Sequence, residues 1–139
     1  MKVVNRKRFA GLAVVLAGAG VVVAAAIPAA ASQRNGYLES YELGLYYNSG
    51  QGGCVFDLEF DNENFAGFYF TGPSGCAGRG EKTNDNTASY YNNDVLAWKV
   101  ATDKDYDGNV GTIPKGYRGN ATVNFKNKIS SAYPLLGSL

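Results

Sequence analysis

Asp103, Asp105, Asp107 and Gly108 stand in the D-x-D-x-D-G order that opens a calcium loop, a spacing that aims several hard oxygen donors at one cation. The order breaks at its twelfth position, where such a loop needs a bidentate glutamate and this chain has Pro114. Asp-Gly between two apolar runs is equally the signature of a tight hairpin. The three aspartates are therefore read both as candidate calcium ligands and as turn residues. A second set of carboxylates, Asp57, Glu59 and Asp61, alternates with Phe56, Leu58 and Phe60 and so shares one face of a strand. Paired carboxylates of this kind perform acid and base work in glycoside hydrolysis. A solvated outer strand face has the same pattern, and it is the expectation here.

Cys54 and Cys76 are the only cysteines, and the chain has no histidine. The usual nucleophile-and-base couples cannot be assembled, so no enzymatic activity and no required cofactor are expected. Gly72, Pro73, Ser74 and Gly75 begin a loop that runs to Gly80. Its glycine content resembles a phosphate cradle, but Glu81 follows where Gly-Lys-Ser/Thr and a helix are required. It is read as an exposed, mobile loop tied down at Cys76.

Strands must position these residues. Beyond residue 31 lie fifteen of the eighteen glycines, all ten tyrosines and six of the seven phenylalanines. No window there keeps a helical period over three turns. Strands are expected over residues 41–47, 55–61, 65–71, 95–101, 122–125 and 129–133, with a polar connector at 89–93. Trp98 is expected to fill the core between two halves, with a sugar-stacking or partner-anchoring role as the alternative. Two halves are implied because residues 45–53 return as 100–108 at an offset of 55, while Asp85, Asn86, Thr87, Ala88, Ser89 and Tyr90 return as residues 126–131 at an offset of 41. The 14 surplus residues of the first half are placed in the loop around Gly72 to Gly80.

Residues 1–31 have the three parts of a secretory signal: Lys2, Arg6, Lys7 and Arg8, then an apolar run over 9–27, then Pro28 and three alanines. Cleavage after Ala31 is expected, with an uncleaved anchor as the competing reading. The remaining domain, 32–139, carries nine bases and twelve acids, a net charge of −3. With its bases scattered singly it offers no footprint for nucleic acid, and none for membrane once the signal is removed. An extracellular location is oxidising, so Cys54 and Cys76 are expected to form a disulfide.

The order of motifs, a strand, an aromatic turn ending in glycine, a hairpin and an Asn/Asp-x-x-Ser loop, all given twice, resembles the Greek-key pair of βγ-crystallins. More closely, Arg34, Asn35 and Gly36, then Leu45, Tyr46, Tyr47, Asn48 and Ser49, then Gly72 and Pro73, and finally Asn86, Thr87, Ala88 and Ser89 resemble the small secreted bacterial peptidase inhibitors typified by a metalloproteinase inhibitor. The likeness covers nearly the whole domain. Members have cysteines where this chain has Leu38 and Gly44, and again near Lys82. The resemblance implies an all-β, βγ-crystallin-like Greek-key sandwich of two motif halves. It implies a monomeric secreted inhibitor of an extracellular peptidase, with Gly72, Pro73, Ser74 and Gly75 as the contact loop. The alternative is a secreted calcium-binding module without inhibitory activity. Calcium-binding βγ-crystallins use an N/D-N/D-x-x-S/T-S pattern, which makes Asp85, Asn86 and Ser89 in one copy, and Asn127 and Ser130 in the other, candidate calcium ligands.

Overall fold

The computed structural model describes the backbone of residues 14–17 and 21–24, and residues 34–136 in full. Strands β1 (Val14–Ala17) and β2 (Val21–Ala24) pair antiparallel with each other. The rest of the expected leader, including the cleavage point at Ala31, lies outside the described residues. Among the described residues no helix is long and apolar enough to cross a membrane.

Two sheets make the domain, and each is built in the same order. In the first, β4 (Gly52–Leu58), β3 (Leu43–Asn48), β5 (Ser89–Asn92) and β8 (Arg118–Asn120) lie side by side. In the second the order is β7 (Val110–Ile113), β6 (Trp98–Ala101) and β9 (Ser131–Pro134). Asn62 takes the fourth place beside β9, exchanging backbone hydrogen bonds with Ala132 at 2.8 and 2.9 Å. So β8 of the second half completes the sheet of the first, and Asn62 of the first half completes the sheet of the second. All the strand pairs are antiparallel, and the two halves interlock as Greek keys.

Alternation in the hairpins decides which side chains meet between the sheets. Leu43 and Leu45 pair with Leu58 and Phe56, and Trp98 and Val100 pair with Ile113 and Gly111. All of these except Gly111 belong to the buried core, which Phe65, Phe70 and Ile129 complete. Trp98 is fully buried, and its indole N–H donates to Asp94 Oδ2 at 2.8 Å, so the core-filling role is the observed one. Without such a partner a buried indole N–H would be destabilising.

Several expectations need correction. Residues 89–92 are a strand rather than a connector, and residues 122–125 belong to a turn. Between 65 and 71 the chain makes isolated bridges, at Tyr69 and Thr71, rather than a continuous strand. Asp57 is not on a solvated face. It is fully buried, because residues 34–36 fold back over it and the backbone N–H groups of Asn35 and Gly36 donate to its carboxylate at 2.9 Å each.

Two candidate clefts and a braced loop

One serine in each half ties a strand start to a hairpin tip. Ser89 Oγ donates to Asn48 O at 2.6 Å and accepts from Gln51 N at 2.9 Å. Ser131 Oγ donates to Asp103 O at 2.6 Å and accepts from Tyr106 N at 3.1 Å. Ser89 therefore matches Ser131, not Ser130, and the second landmark repeats at an offset of 42. Neighbouring bonds agree. Asp85 N donates to Ile129 O at 3.1 Å, Asn127 N donates to Thr87 O at 2.8 Å, and Asp85 and Asn127 both have left-handed φ, +62° and +57°. In this register the first loop reads Asn84, Asp85, then Ala88, Ser89, and the second reads Lys126, Asn127, then Ser130, Ser131.

The paired loops form two corresponding clefts. One, about 640 Å³, is lined by Asn64, Asn84, Asp85 and Ser130 together with the hairpin residues Thr102, Asp103, Lys104, Asp105 and Asp107. The other, about 250 Å³, is lined by Tyr47, Asn48, Ser49, Asn86, Ala88, Lys126 and Asn127. In the larger cleft Ser130 Oγ of one half donates to Asp85 Oδ1 of the other at 2.9 Å. The same two places in the smaller cleft hold Ala88 and Asn127, with Lys126 where the larger cleft has Asn84. Four carboxylates and Lys104 thus line the larger cleft, whereas the smaller has Lys126 and no carboxylate.

Asp103, Asp105 and Asp107 lie on the hairpin between β6 and β7, which includes a short 3-10 turn, Lys104–Tyr106. The hairpin reading of Asp-Gly holds: Thr102 N donates to Asn109 O and Asp103 N to Asp107 O, both at 3.0 Å. Its tip is held down by Asp105 N, which donates to Glu63 O at 2.7 Å, and by Tyr106, whose hydroxyl donates to Asp61 Oδ2 at 3.3 Å. Burial, and then the Asp61 charge, push the Tyr106 phenol pKa upward and keep it a donor. A Cβ at Gly108 would lie 2.4 Å from Thr102 Oγ1 and 2.8 Å from Asp103 Oδ2, so the glycine leaves room for both side chains. Among the described residues no three His, Cys, Asp or Glu side chains are grouped to hold a metal ion. A cation in the larger cleft would draw on hydroxyl, amide and backbone oxygens beside one or two carboxylates, a mixture calcium accepts. Ser89 lines neither cleft, because its hydroxyl serves the hairpin.

The surplus of the first half, 13 residues once the second offset is 42, lies within a flap at residues 65–83. Phe70 N donates to Glu81 O and Gly80 N to Phe70 O, both at 2.9 Å, and Cys54 N of β4 donates to Ala77 O at 2.8 Å. The disulfide Cys54–Cys76, with Cα atoms 5.2 Å apart, fastens the flap to the same strand. Pro73, Ser74 and Gly75 are exposed at its tip, where Cys76 N donates to Pro73 O at 3.1 Å to close a turn. The loop is thus bonded along its length, where glycine content alone suggested mobility.

The chain matches no protein-family model and no curated protein. Among solved structures it is similar to one described under "Evolution of the eye lens beta-gamma-crystallin domain fold", with a TM-score of 0.56 and 18% identity, over 71% of this chain and 89% of that one. The fold is that of a βγ-crystallin domain.

Proposed function

We propose that this domain is a secreted calcium-binding module of βγ-crystallin type with one working site, the larger cleft. The observation that supports it best is the Ser130–Asp85 hydrogen bond, which joins oxygen donors of both halves beside the Asp103 hairpin. Calcium takes six to eight oxygens in flexible geometry, and sites in extracellular modules bind at about 10⁻⁴–10⁻³ M. The smaller cleft has Ala88 in the place of Ser130, and Lys126 lines it with no carboxylate to offset a charge that repels a cation. The test is a thermal melt in chelator and in about 10 mM calcium, since a ligand bound only by the folded state must raise its stability. The melting temperature should rise, and Asp85→Ala should abolish the rise. An unchanged wild-type melt rejects the reading.

Inhibition of an extracellular peptidase is the second reading, and the braced flap favours it. An exposed tip already ordered by a disulfide and backbone bonds loses little entropy on docking. Titration into thermolysin-type and subtilisin-type peptidases tests it. Inhibition that disappears on changing Pro73 and Ser74 supports it, and full protease activity beside intact domain rejects it for those classes.

A further inference from the structure

The turn at residues 39–42 buries the Glu42 carboxyl group and one oxygen of half-buried Glu39, neither with a full set of partners. Glu42 is 0% exposed. Its Oε2 accepts the backbone N–H of Glu39 at 2.8 Å, but its Oε1 is buried without a hydrogen bond, and so is Oε2 of Glu39. Burial is the main cause that raises the Glu42 pKa to about 7, and the charges acting on it are all negative: Asp57 on β4, Glu39 in the same turn and Glu59 just beyond β4. Asp57 is itself buried, and burial raises its pKa too. An ionised Glu42 would sit desolvated among like charges, which is strongly unfavourable. A proton on Glu42 removes that charge and turns one of its oxygens into a donor.

This turn is the middle of a strap. Residues 34–42 cross the outer face of the first sheet, from Asp57, which holds Asn35 N and Gly36 N, to Asn93, whose Nδ2 donates to Glu39 O and whose N donates to Glu42 O, both at 2.9 Å. Along the way the strap touches the flap so closely that a Cβ on Gly36 would lie 2.4 Å from Gly72 Cα. We propose that a proton on Glu42 latches the strap: with it in place residues 34–42 lie closed on the sheet, and its loss at neutral to alkaline pH releases them. Release uncovers Gly44, against which Leu38 packs, and removes the support beneath Gly72.

The sign of the pH dependence follows from the raised affinity for a proton in the folded state. The latch contributes its full stability below about pH 4.5, the ordinary value, and loses it as the pH climbs to about 7. Carboxyl ¹³C resonances of the intact domain, followed from pH 4 to 9, test this directly. Glu42 should titrate near 7, and hydrogen-exchange protection at Gly36 and Glu39 should fall about tenfold or more between pH 5 and pH 8. Glu42→Gln keeps a neutral donor, so it should hold that protection at both pH values, and its melting temperature should lose about 5 °C less than wild type over the same interval. Should Glu42→Gln not fold, Glu39→Gln serves instead, since it removes a negative charge that raises the Glu42 pKa and should lower the titration midpoint. Titration of Glu42 at the ordinary value, or parallel pH curves for wild type and variant, overturns the latch. So does a Glu42 carboxyl shift caused by calcium at constant pH, which would make the pair a cation site.

Discussion

The two halves share a plan and differ in how they fill it. Where Phe56 stands opposite Leu45, packed edge-on against Phe65 at 5.0 Å, the second half has Gly111 opposite Val100. The space is taken over by Phe125, whose ring a Cβ on Gly111 would approach to 2.9 Å, while Trp98 stands in the place of Leu43. The clefts differ in the same piecemeal way, with Ser130 and Asp85 in one and Ala88 and Asn127 in the other. Backbone geometry and the two tying serines are what the halves have kept in common. Side-chain volume and charge are distributed differently around them, so the lining of the two clefts differs while the fold of the halves does not.

Four changes probe this contrast. The largest effect is expected from Phe56→Ala, which should lower unfolding free energy by about 4 kcal/mol in urea titrations; a loss near 1 kcal/mol would mean that the first half does not depend on its aromatic filling. Replacing both Cys54 and Cys76 by alanine should cost about 3 kcal/mol by the same measurement. Hydrogen exchange should then show protection lost in the flap, while the 102–109 hairpin keeps its own. Ser89→Ala and Ser131→Ala each remove a buried hydroxyl with two hydrogen bonds, and each should cost about 2 kcal/mol. Unequal losses would show that the two ties are alike only in geometry. The smallest change is a gain: Ala88→Ser, Asn127→Asp and Lys126→Asn together give the smaller cleft the loop residues of the larger one. Calcium at about five times its dissociation constant should then stabilise the triple variant by about 1 kcal/mol more than wild type. Identical calcium responses would break the correspondence between the clefts.

Much of the fold can be read from local pattern. The hairpins at Gly52 and Gly108, the disulfide and the buried tryptophan all follow from residues close in sequence or from simple pairing. Misreadings arise where distant segments decide the outcome. Ser89–Asn92 looks like a connector because it is polar, yet Asn92 is buried with its amide donating to Leu96 O at 2.9 Å and Ile113 O at 3.0 Å. Val123 and Phe125 alternate like a strand, but Phe125 N and Lys126 N both donate to Thr122 O, at 2.9 and 2.8 Å, and wind the chain into a turn. The acidic alternation around Asp57 hid a buried carboxylate, because the strap that covers it starts 23 residues earlier, at Arg34. The one-residue error in the repeat had a similar origin. Two adjacent serines, Ser130 and Ser131, both suit the pattern, and only the hydrogen bonds of Ser131 to the hairpin choose between them.

Seen from outside, the flap is also a guard. It runs along the rim of β4 and occupies backbone groups there, through the Val55–Thr71 bridge and the Cys54–Ala77 hydrogen bond, that a strand from another molecule could otherwise pair with. The corresponding rim of the second sheet, β7, lies at the end of that sheet with Val110 exposed, and its protection is its brevity, four residues cut off by Pro114. Reducing the disulfide would therefore do more than destabilise the domain. It would open a seven-residue rim on β4 to polymerisation, so self-association of this protein should track the redox state of its surroundings.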